Sequence, residues 1–136
     1  MRAVVRASCL LGFGVFLIAG PALAEPTAEE LRQTIRDYIQ GQEDRQGAFV
    51  IRDSRGNTLR ELEFVRVHER VGKTGDYYYS CTDMRDVETG DLLDLDFDIS
   101  DTGGMLEVVE IRIHKDNGQP RFTYDENDNI IPLDQV

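Results

Sequence analysis

Apolar positions recur with the period of an α-helix across residues 26–41. They fall at spacings of three and four and so share one face; the positions are Ala28, Leu31, Ile35, Tyr38 and Ile39. Thr27 and Glu30 match the T-x-x-E capping box, in which each side chain accepts a hydrogen bond from the other residue's backbone N–H. Gly41 is placed to end the helix, and residues 42–46 are predicted to form a linker. A helix this short is marginal in water, so we expect it to pack on a second element.

From residue 48 onward, short alternating segments predict β-strands separated by turns. The segments span residues 48–53, 58–71, 76–86, 93–99, 109–113 and 122–124, with residues 130–133 as a short final edge segment. Alternation within residues 58–71 is irregular, because Leu62 and Phe64 share one parity while Val65 and Val67 share the other. A β-bulge near Phe64 and Val65 would bring both pairs to one face.

The clearest strand alternates apolar and acidic side chains. Its apolar positions are Leu93, Leu95, Phe97 and Ile99, and its acidic positions are Asp94, Asp96 and Asp98. Successive side chains of a strand point to opposite faces, so one face is predicted to be apolar and the other acidic. With a three-residue turn at residues 102–104, Asp94 would lie opposite Arg112, and Leu95 opposite Ile111.

Asn117-Gly118 is the strongest hairpin signal in the chain, because both positions of a two-residue turn favour positive φ. Such a turn would place Ile113 opposite Phe122 and Ile111 opposite Tyr124. Both pairs would then lie on the apolar face of the sheet.

These elements predict an α+β domain in which the N-terminal helix packs on a curved antiparallel meander of five or six strands. The order of elements resembles that of the cystatin-like and NTF2-like groups. The closing hairpin, with its aspartate- and asparagine-rich turn, also resembles the small exported PepSY-type domains. The resemblance implies a helix lying across a curved sheet, with a cavity between them in the NTF2-like case, and it assigns no residue roles.

Residues 1–24 match a secretory signal peptide. Arg2 and Arg6 precede or flank the apolar stretch at residues 7–20, and Ala22 and Ala24 occupy the small-residue positions of a cleavage site. The stretch is shorter than the about 20 residues that span a bilayer. We therefore expect cleavage after Ala24 and export of residues 25–136 as one domain, periplasmic or secreted, without membrane insertion.

The chain is strongly acidic, with 26 aspartate and glutamate residues against 15 lysine and arginine residues and a formal net charge of −11. Loss of Arg2 and Arg6 with the leader would make that charge −13. Such a charge repels nucleic acid and anionic lipid and favours a basic protein or peptide as partner.

The acidic strand face supports two interpretations. It is either a solvated face partly neutralised by Arg112, or a docking surface for a basic partner. In the second case the candidate docking residues are Asp94, Asp96, Asp98, Arg112 and an outward-facing Tyr78. Alternate residues of a strand lie about 6.7 Å apart, which is too far for these carboxylates to surround one ion. No metal or cofactor is predicted.

Cys81 is the only cysteine after the leader, and the chain contains two histidines, His68 and His114. A three-residue turn at residues 88–90 would place Cys81 opposite Phe97 on the core face, as a buried structural thiol. His114 would point to the opposite face, away from Cys81. The pattern therefore predicts neither a catalytic Cys–His pair nor a zinc site.

Residues 125–129 begin like a calcium-binding loop, with oxygen-bearing side chains at alternate positions. Ile130 stands where that motif needs glycine, and Val136 stands where it needs a bidentate glutamate. An aspartate- and asparagine-rich turn accounts for the segment without an ion.

Two classes of function follow. The leading hypothesis is a non-enzymatic exported binding module that acts through its sheet face or an edge strand. The alternative is a small-ligand pocket protein or an enzyme of NTF2-like architecture. A working pocket needs convergent polar groups in an apolar cavity, whereas the inward positions of the last strands are nearly all apolar, which favours the first class.

Overall fold

The computed structural model describes residues 24–133 and contains one helix, a six-stranded antiparallel sheet and a separate two-stranded hairpin. The elements are α1 (Ala28–Gln46), β1 (Phe49–Asp53), β2 (Thr58–Thr74), β3 (Tyr77–Asp86), β4 (Leu92–Thr102), β5 (Met105–Asp116), β6 (Gln119–Pro120), β7 (Phe122–Tyr124) and β8 (Ile130–Pro132). Strands β1 to β6 are neighbours in chain order, and β7 pairs with β8. The predicted α+β class, with one helix packed on an antiparallel meander, is confirmed. The predicted signal peptide lies outside the described residues, apart from Ala24.

The helix begins as predicted and ends later than predicted. Thr27 Oγ1 accepts a hydrogen bond from the Glu30 N–H, and Glu30 Oε2 accepts one from the Thr27 N–H. The helix continues through Gly41, so the expected stop there and the linker over residues 42–46 are wrong. A glycine inside a helix costs only about 1 kcal/mol. The end is set by Gly47, whose φ of 82° lets its N–H donate to the Glu43 carbonyl at 2.7 Å.

The core lies between α1 and one face of the sheet, called here the helix face. Leu31, Ile35 and Ile39 are the buried residues of the helix. The apolar side chains of β4 pack against them and have no exposed surface; they are Leu93, Leu95, Phe97 and Ile99. The opposite side of the sheet is called the far face.

The bulge predicted near Phe64 is confirmed, because the β2–β3 register shifts between Phe64 and Arg66. The predicted β4–β5 register is wrong. Gly103 and Gly104 both have positive φ and form a two-residue turn that pairs Thr102 with Met105. Two further register shifts follow along the pair, so Asp96 lies opposite Arg112.

The Asn117-Gly118 turn forms as predicted and pairs Asp116 with Gln119. Pairing stops at Pro120, which has no N–H to continue the ladder. Residues Phe122–Tyr124 leave the sheet and pair with Ile130–Pro132, so the predicted pairs of Ile113 with Phe122 and Ile111 with Tyr124 do not form. The hairpin of β7 and β8 lies on the far face, where the Phe122 ring stacks on His114.

One end of the sheet is tied together by Arg60 and Arg121. Arg60 donates to Asp86 at 2.6 Å, to Asp116 at 3.0 Å and to Asp91 at 3.1 Å. Arg121 donates two hydrogen bonds to Asp53, at 2.6 and 2.8 Å. These ion pairs connect β1, β2, β3, β5 and the segment after β6. Among residues 24–133, no helix is both long enough and apolar enough to cross a membrane.

Candidate functional site

The acidic residues of β4 are buried on the far face. Asp94 is 7 % exposed, Asp96 0 % and Asp98 2 %. The prediction of a solvated acidic face is therefore wrong, because the hairpin of β7 and β8 covers it. The docking of a basic partner was argued from that exposure and stays an untested prediction.

The other two docking candidates, Arg112 and Tyr78, are partly buried. Arg112 donates two hydrogen bonds to Asp98, at 2.6 and 2.8 Å. Burial alone would lower the pKa of Arg112, but the pair with Asp98 outweighs it and raises that pKa. Tyr78 packs on the core at the helix face, with Lys73 Nζ 4.9 Å from its ring centre, so its predicted outward position is wrong. Tyr79 is the buried tyrosine of the far face.

Cys81 lies opposite Asp96, not opposite Phe97. The connection between β3 and β4 is longer than the predicted three-residue turn, since Arg85 pairs with Leu92. This changes the register by one residue, and a change of one moves a side chain to the other face of the sheet. Cys81 is therefore a half-buried free thiol on the far face, and its predicted place in the core is wrong.

His114 reaches the same place through a bulge. The β4–β5 pairing passes from Leu95 with Ile113 to Asp94 with Lys115, so His114 is an extra residue in β5. His114 Nδ1 lies 3.9 Å from Cys81 Sγ and 3.6 Å from Asp96 Oδ1. The prediction that His114 points away from Cys81 is wrong, because both side chains lie on the far face.

Cys81, Asp94, Asp96 and His114 together form what is called here the far-face cluster. Each supplies one potential ligand atom, and these atoms all lie within 4.8 Å of one another, so the prediction that Asp94 and Asp96 lie too far apart to approach one ion is wrong. The Cys81 thiol donates to Asp96 Oδ1 at 2.7 Å. A second group of His68, Asp83 and Asp94 shares Asp94 with the cluster. In that group His68 Nε2 lies 2.8 Å from Asp83 Oδ1, and Arg66 also donates to Asp83.

Aromatic side chains of the β7–β8 hairpin pack over the far-face cluster. Tyr124 Oη donates to Asp96 Oδ2 at 2.5 Å. The Phe122 ring lies 4.6 Å from the His114 ring, and the Tyr124 ring lies 4.6 Å from that of Tyr79. Asp96 therefore contacts the hairpin through Oδ2, and the other residues of the cluster through Oδ1.

The two carboxylates of the cluster have opposite pKa shifts. Burial raises the pKa of Asp94 above its ordinary value, and the nearby Asp96 charge adds to that effect. Burial also acts to raise the pKa of Asp96, but interactions with His114, Cys81 and Tyr124 outweigh it and lower that pKa. Burial and the Asp96 charge raise the pKa of Cys81 well above its ordinary value, so Cys81 is a protonated thiol at neutral pH.

A groove of about 620 Å³ lies between β1 and β5. Ile51, Ile111 and Ile113 supply apolar surface, and the hairpin adds more; the hairpin residues are Phe122, Ile130 and Pro132. Four arginines also line this groove, namely Arg52, Arg55, Arg112 and Arg121. It is called here the edge groove.

No family model matches this chain, and searches of curated proteins and of solved structures found no similar protein. The cluster was not predicted from the sequence, since each of its members depends on strand register. One signal was present: His114 and Lys115 are consecutive polar residues after an alternating segment, a pattern typical of a bulge.

Proposed function

We propose that the protein is an exported, non-enzymatic binding module that holds an extended acidic segment of a partner protein in the edge groove. The observation that carries this proposal is the concentration of four arginines along one apolar groove in a chain of net charge −11. The prediction of a basic partner is untested, and the groove favours a partner of the opposite sign.

The backbone edges beside the groove support an extended occupant. In the described part of the chain, β1 pairs with β2 alone, and the outer side of β5 pairs with β6 only at Lys115 and Asp116. Unpaired strand edges present N–H and C=O groups that add a further strand readily. Peptides commonly bind by such strand addition, with alternate side chains entering pockets.

The arginines give this site its charge preference. Arg112 and Arg121 line the groove and are ion-paired to Asp98 and Asp53. Arg52 is exposed, and Arg55 belongs to the turn that follows β1. Glu110 is the one acidic residue among those lining the groove. Carboxylates of an incoming segment would meet guanidinium groups, which pair with them in a bidentate geometry.

The enzyme alternative is disfavoured by the surroundings of Cys81. A cysteine nucleophile acts as the thiolate, which a neighbouring cation or base must favour. Here the thiol donates to the Asp96 carboxylate at 2.7 Å, and that negative charge opposes ionisation. The nearness of His114 is the one feature that favours catalysis, and rapid alkylation of Cys81 at neutral pH would support it.

The finer architecture and the location belong to the same proposal. A curved sheet of cystatin-like or NTF2-like form is supported by the ion pair of Arg121 with Asp53, which brings the segment after β6 to the end of β1. Export is supported by the sequence of residues 1–24. N-terminal sequencing of the exported protein should begin at Glu25.

A peptide-binding experiment tests the groove. The probes are labelled octapeptides that alternate valine with glutamate or valine with lysine, and binding is measured by fluorescence anisotropy at physiological salt. We expect the valine–glutamate peptide to bind and the valine–lysine peptide not to bind. Arg52→Glu should weaken binding at least about tenfold, while Arg85→Glu, an exposed change on β3, should not.

Three outcomes would overturn the proposal. Equal affinity for the two peptides would show that the groove does not select its occupant by charge. Binding of dodecanoate but of neither peptide would favour the small-ligand pocket alternative. Formation of a dimer through the two edges, seen by sedimentation, would make a second copy of the chain the occupant.

A further inference from the structure

None of the four residues of the far-face cluster lines the edge groove, and strand addition there gives the cluster no role. It brings together a sulfur, a ring nitrogen and two carboxylates from β3, β4 and β5. Each group donates electrons to a metal ion in its deprotonated or neutral form. The question is whether their separations and surroundings fit an ion.

The separations that involve His114 are close to those of a small tetrahedral site. Zinc binds sulfur at about 2.3 Å and nitrogen or oxygen at about 2.0–2.2 Å, which places ligand atoms about 3.4–3.6 Å apart. His114 Nδ1 lies 3.6 Å from Asp96 Oδ1 and 3.9 Å from Cys81 Sγ. The Cys81–Asp96 separation of 2.7 Å is shorter, because the thiol proton lies between the two atoms. An ion that replaces this proton would separate them.

Asp94 gives a second and independent indication. Asp94 is only 7 % exposed, and its buried Oδ1 atom has no hydrogen-bond partner among residues 24–133. An unsatisfied buried acceptor destabilises the fold, and more strongly when it is charged. This carboxylate belongs to the same group of mutually close atoms as Cys81 and His114. A cation in the cluster would supply the missing partner.

The groups around the four residues are arranged as they are at metal sites. Ligand carboxylates and imidazoles usually have outer partners that fix their orientation. Tyr124 donates to the Asp96 oxygen that faces the hairpin, and Phe122 stacks on the His114 ring. Lys115 Nζ lies 3.7 Å from Asp94 Oδ2 and offsets part of the negative charge.

We propose that the far-face cluster is a binding site for one divalent transition-metal ion of the zinc class, with Cys81, Asp94, Asp96 and His114 as its ligands. The mixed sulfur, nitrogen and oxygen set excludes calcium and magnesium as preferred ions, because both take oxygen ligands. Binding replaces the Cys81 thiol proton by the metal and releases that proton to solvent. Cys81 and His114 are partly exposed, which gives the ion a route into the cluster.

The test uses untagged full-length protein as the cell produces it, freed of metal with a chelator and titrated with Zn²⁺ in a calorimeter. We expect one ion per chain, with Cys81 protected from a thiol reagent by Zn²⁺ and not by Ca²⁺. Co²⁺ should give the absorption band of cobalt–thiolate bonding. Cys81→Ser and His114→Gln should each weaken binding at least about 100-fold, and Tyr124→Phe about 10- to 100-fold.

Matched controls separate this site from adventitious binding. We expect the exposed changes Glu63→Gln on β2 and Glu107→Gln on β5, which lie outside the cluster, to leave the affinity within about threefold. The proposal is overturned if wild-type protein binds no Zn²⁺, if Ca²⁺ protects Cys81 equally, or if the Cys81 and His114 variants, checked for folding by circular dichroism, bind as tightly as wild type.

Discussion

At the scale of single residues, Asp96 is the group on which the far face depends. It has no exposed surface, yet its pKa is lowered, so it is a buried carboxylate at neutral pH. Such a charge is tolerated only when hydrogen bonds replace its hydration. Tyr124, Cys81 and His114 supply those contacts, and Tyr124 is the one that joins the hairpin to the sheet.

Tyr124→Phe removes that hydroxyl while keeping the ring. We expect the metal-free protein to lose about 1.5–3 kcal/mol of unfolding free energy, the range for hydrogen bonds to charged groups. Urea denaturation in the presence of chelator measures this loss. Tyr77→Phe, on an exposed tyrosine of the neighbouring strand, serves as the control and should change stability by less than about 0.5 kcal/mol. Equal effects of the two variants would contradict this account of Asp96.

Residue positions around Asp96 show where prediction from sequence fails. The alternation of β4 correctly separates its aspartates from its leucines. The alternation does not determine whether the aspartates are exposed to solvent, because their exposure depends on a hairpin that leaves the sheet after Pro120. Likewise, a register shift of one residue determines whether Cys81 lies opposite Phe97 or opposite Asp96. The residues near Cys81 do not indicate the length of the β3–β4 connection that sets this register.

At the scale of elements, adjacent residues determine where the helix begins and where the chain turns more strictly than they determine where the helix ends. The capping box of α1, the bulge at Phe64 and the Asn117-Gly118 turn were all predictable because each depends on a few adjacent residues. The end of α1 at Gly47, and not at the predicted Gly41, was not predictable, because a helix can continue through a single glycine at a cost of about 1 kcal/mol. Only Gly47 has the left-handed backbone of a helix cap.

The two glycines make a matched pair for measurement. Gly41→Ala should stabilise the protein by up to about 1 kcal/mol, since alanine is the better helix former and the new methyl meets only the mobile end of Arg45. Gly47→Ala should destabilise it by about 1–2 kcal/mol, because its φ of 82° disfavours any side chain. Thermal denaturation followed by circular dichroism compares them. Effects of the same sign would show that the helix does not end at Gly47.

At the scale of the whole molecule, ion pairs at one end connect the first strand to the segment that follows β6. Asp53 at the end of β1 accepts from Arg121 after β6, and Arg60 on β2 shares Asp116 with Arg121. Few of these pairings could be predicted from sequence, since the partners lie up to 68 residues apart. They join β1 to the segment after β6, although β1 and β6 are at opposite ends of the strand order of the sheet.

Acid should weaken this connection. Hydrogen bonds from Arg121 lower the pKa of Asp53 from 3.8 to about 2. A lowered folded-state pKa stabilises the protein above the unfolded value, and this stability is lost as pH falls from about 4 to about 2. We expect Asp53 to account for about 2 kcal/mol of that loss. Urea denaturation between pH 6 and pH 2.5 measures it, and the slope should be shallower in Arg121→Met; an unchanged slope would exclude this pair as its source.

Phe122 has one further consequence. One face of its ring stacks on His114, while the same residue lines the edge groove. Because Phe122 contacts His114 and also lines the groove, we expect the affinities of the two proposed occupants to be coupled. Reciprocity then requires that, if the ion changes the affinity for the peptide by some factor, the peptide changes the affinity for the ion by that same factor.

Titrations test this coupling. Peptide titrations with and without Zn²⁺, and Zn²⁺ titrations with and without peptide, should yield one common coupling constant, and Phe122→Leu should bring that constant closer to one. A protein built in this way would release its metal in response to the arrival or departure of a partner, without any change of compartment or pH.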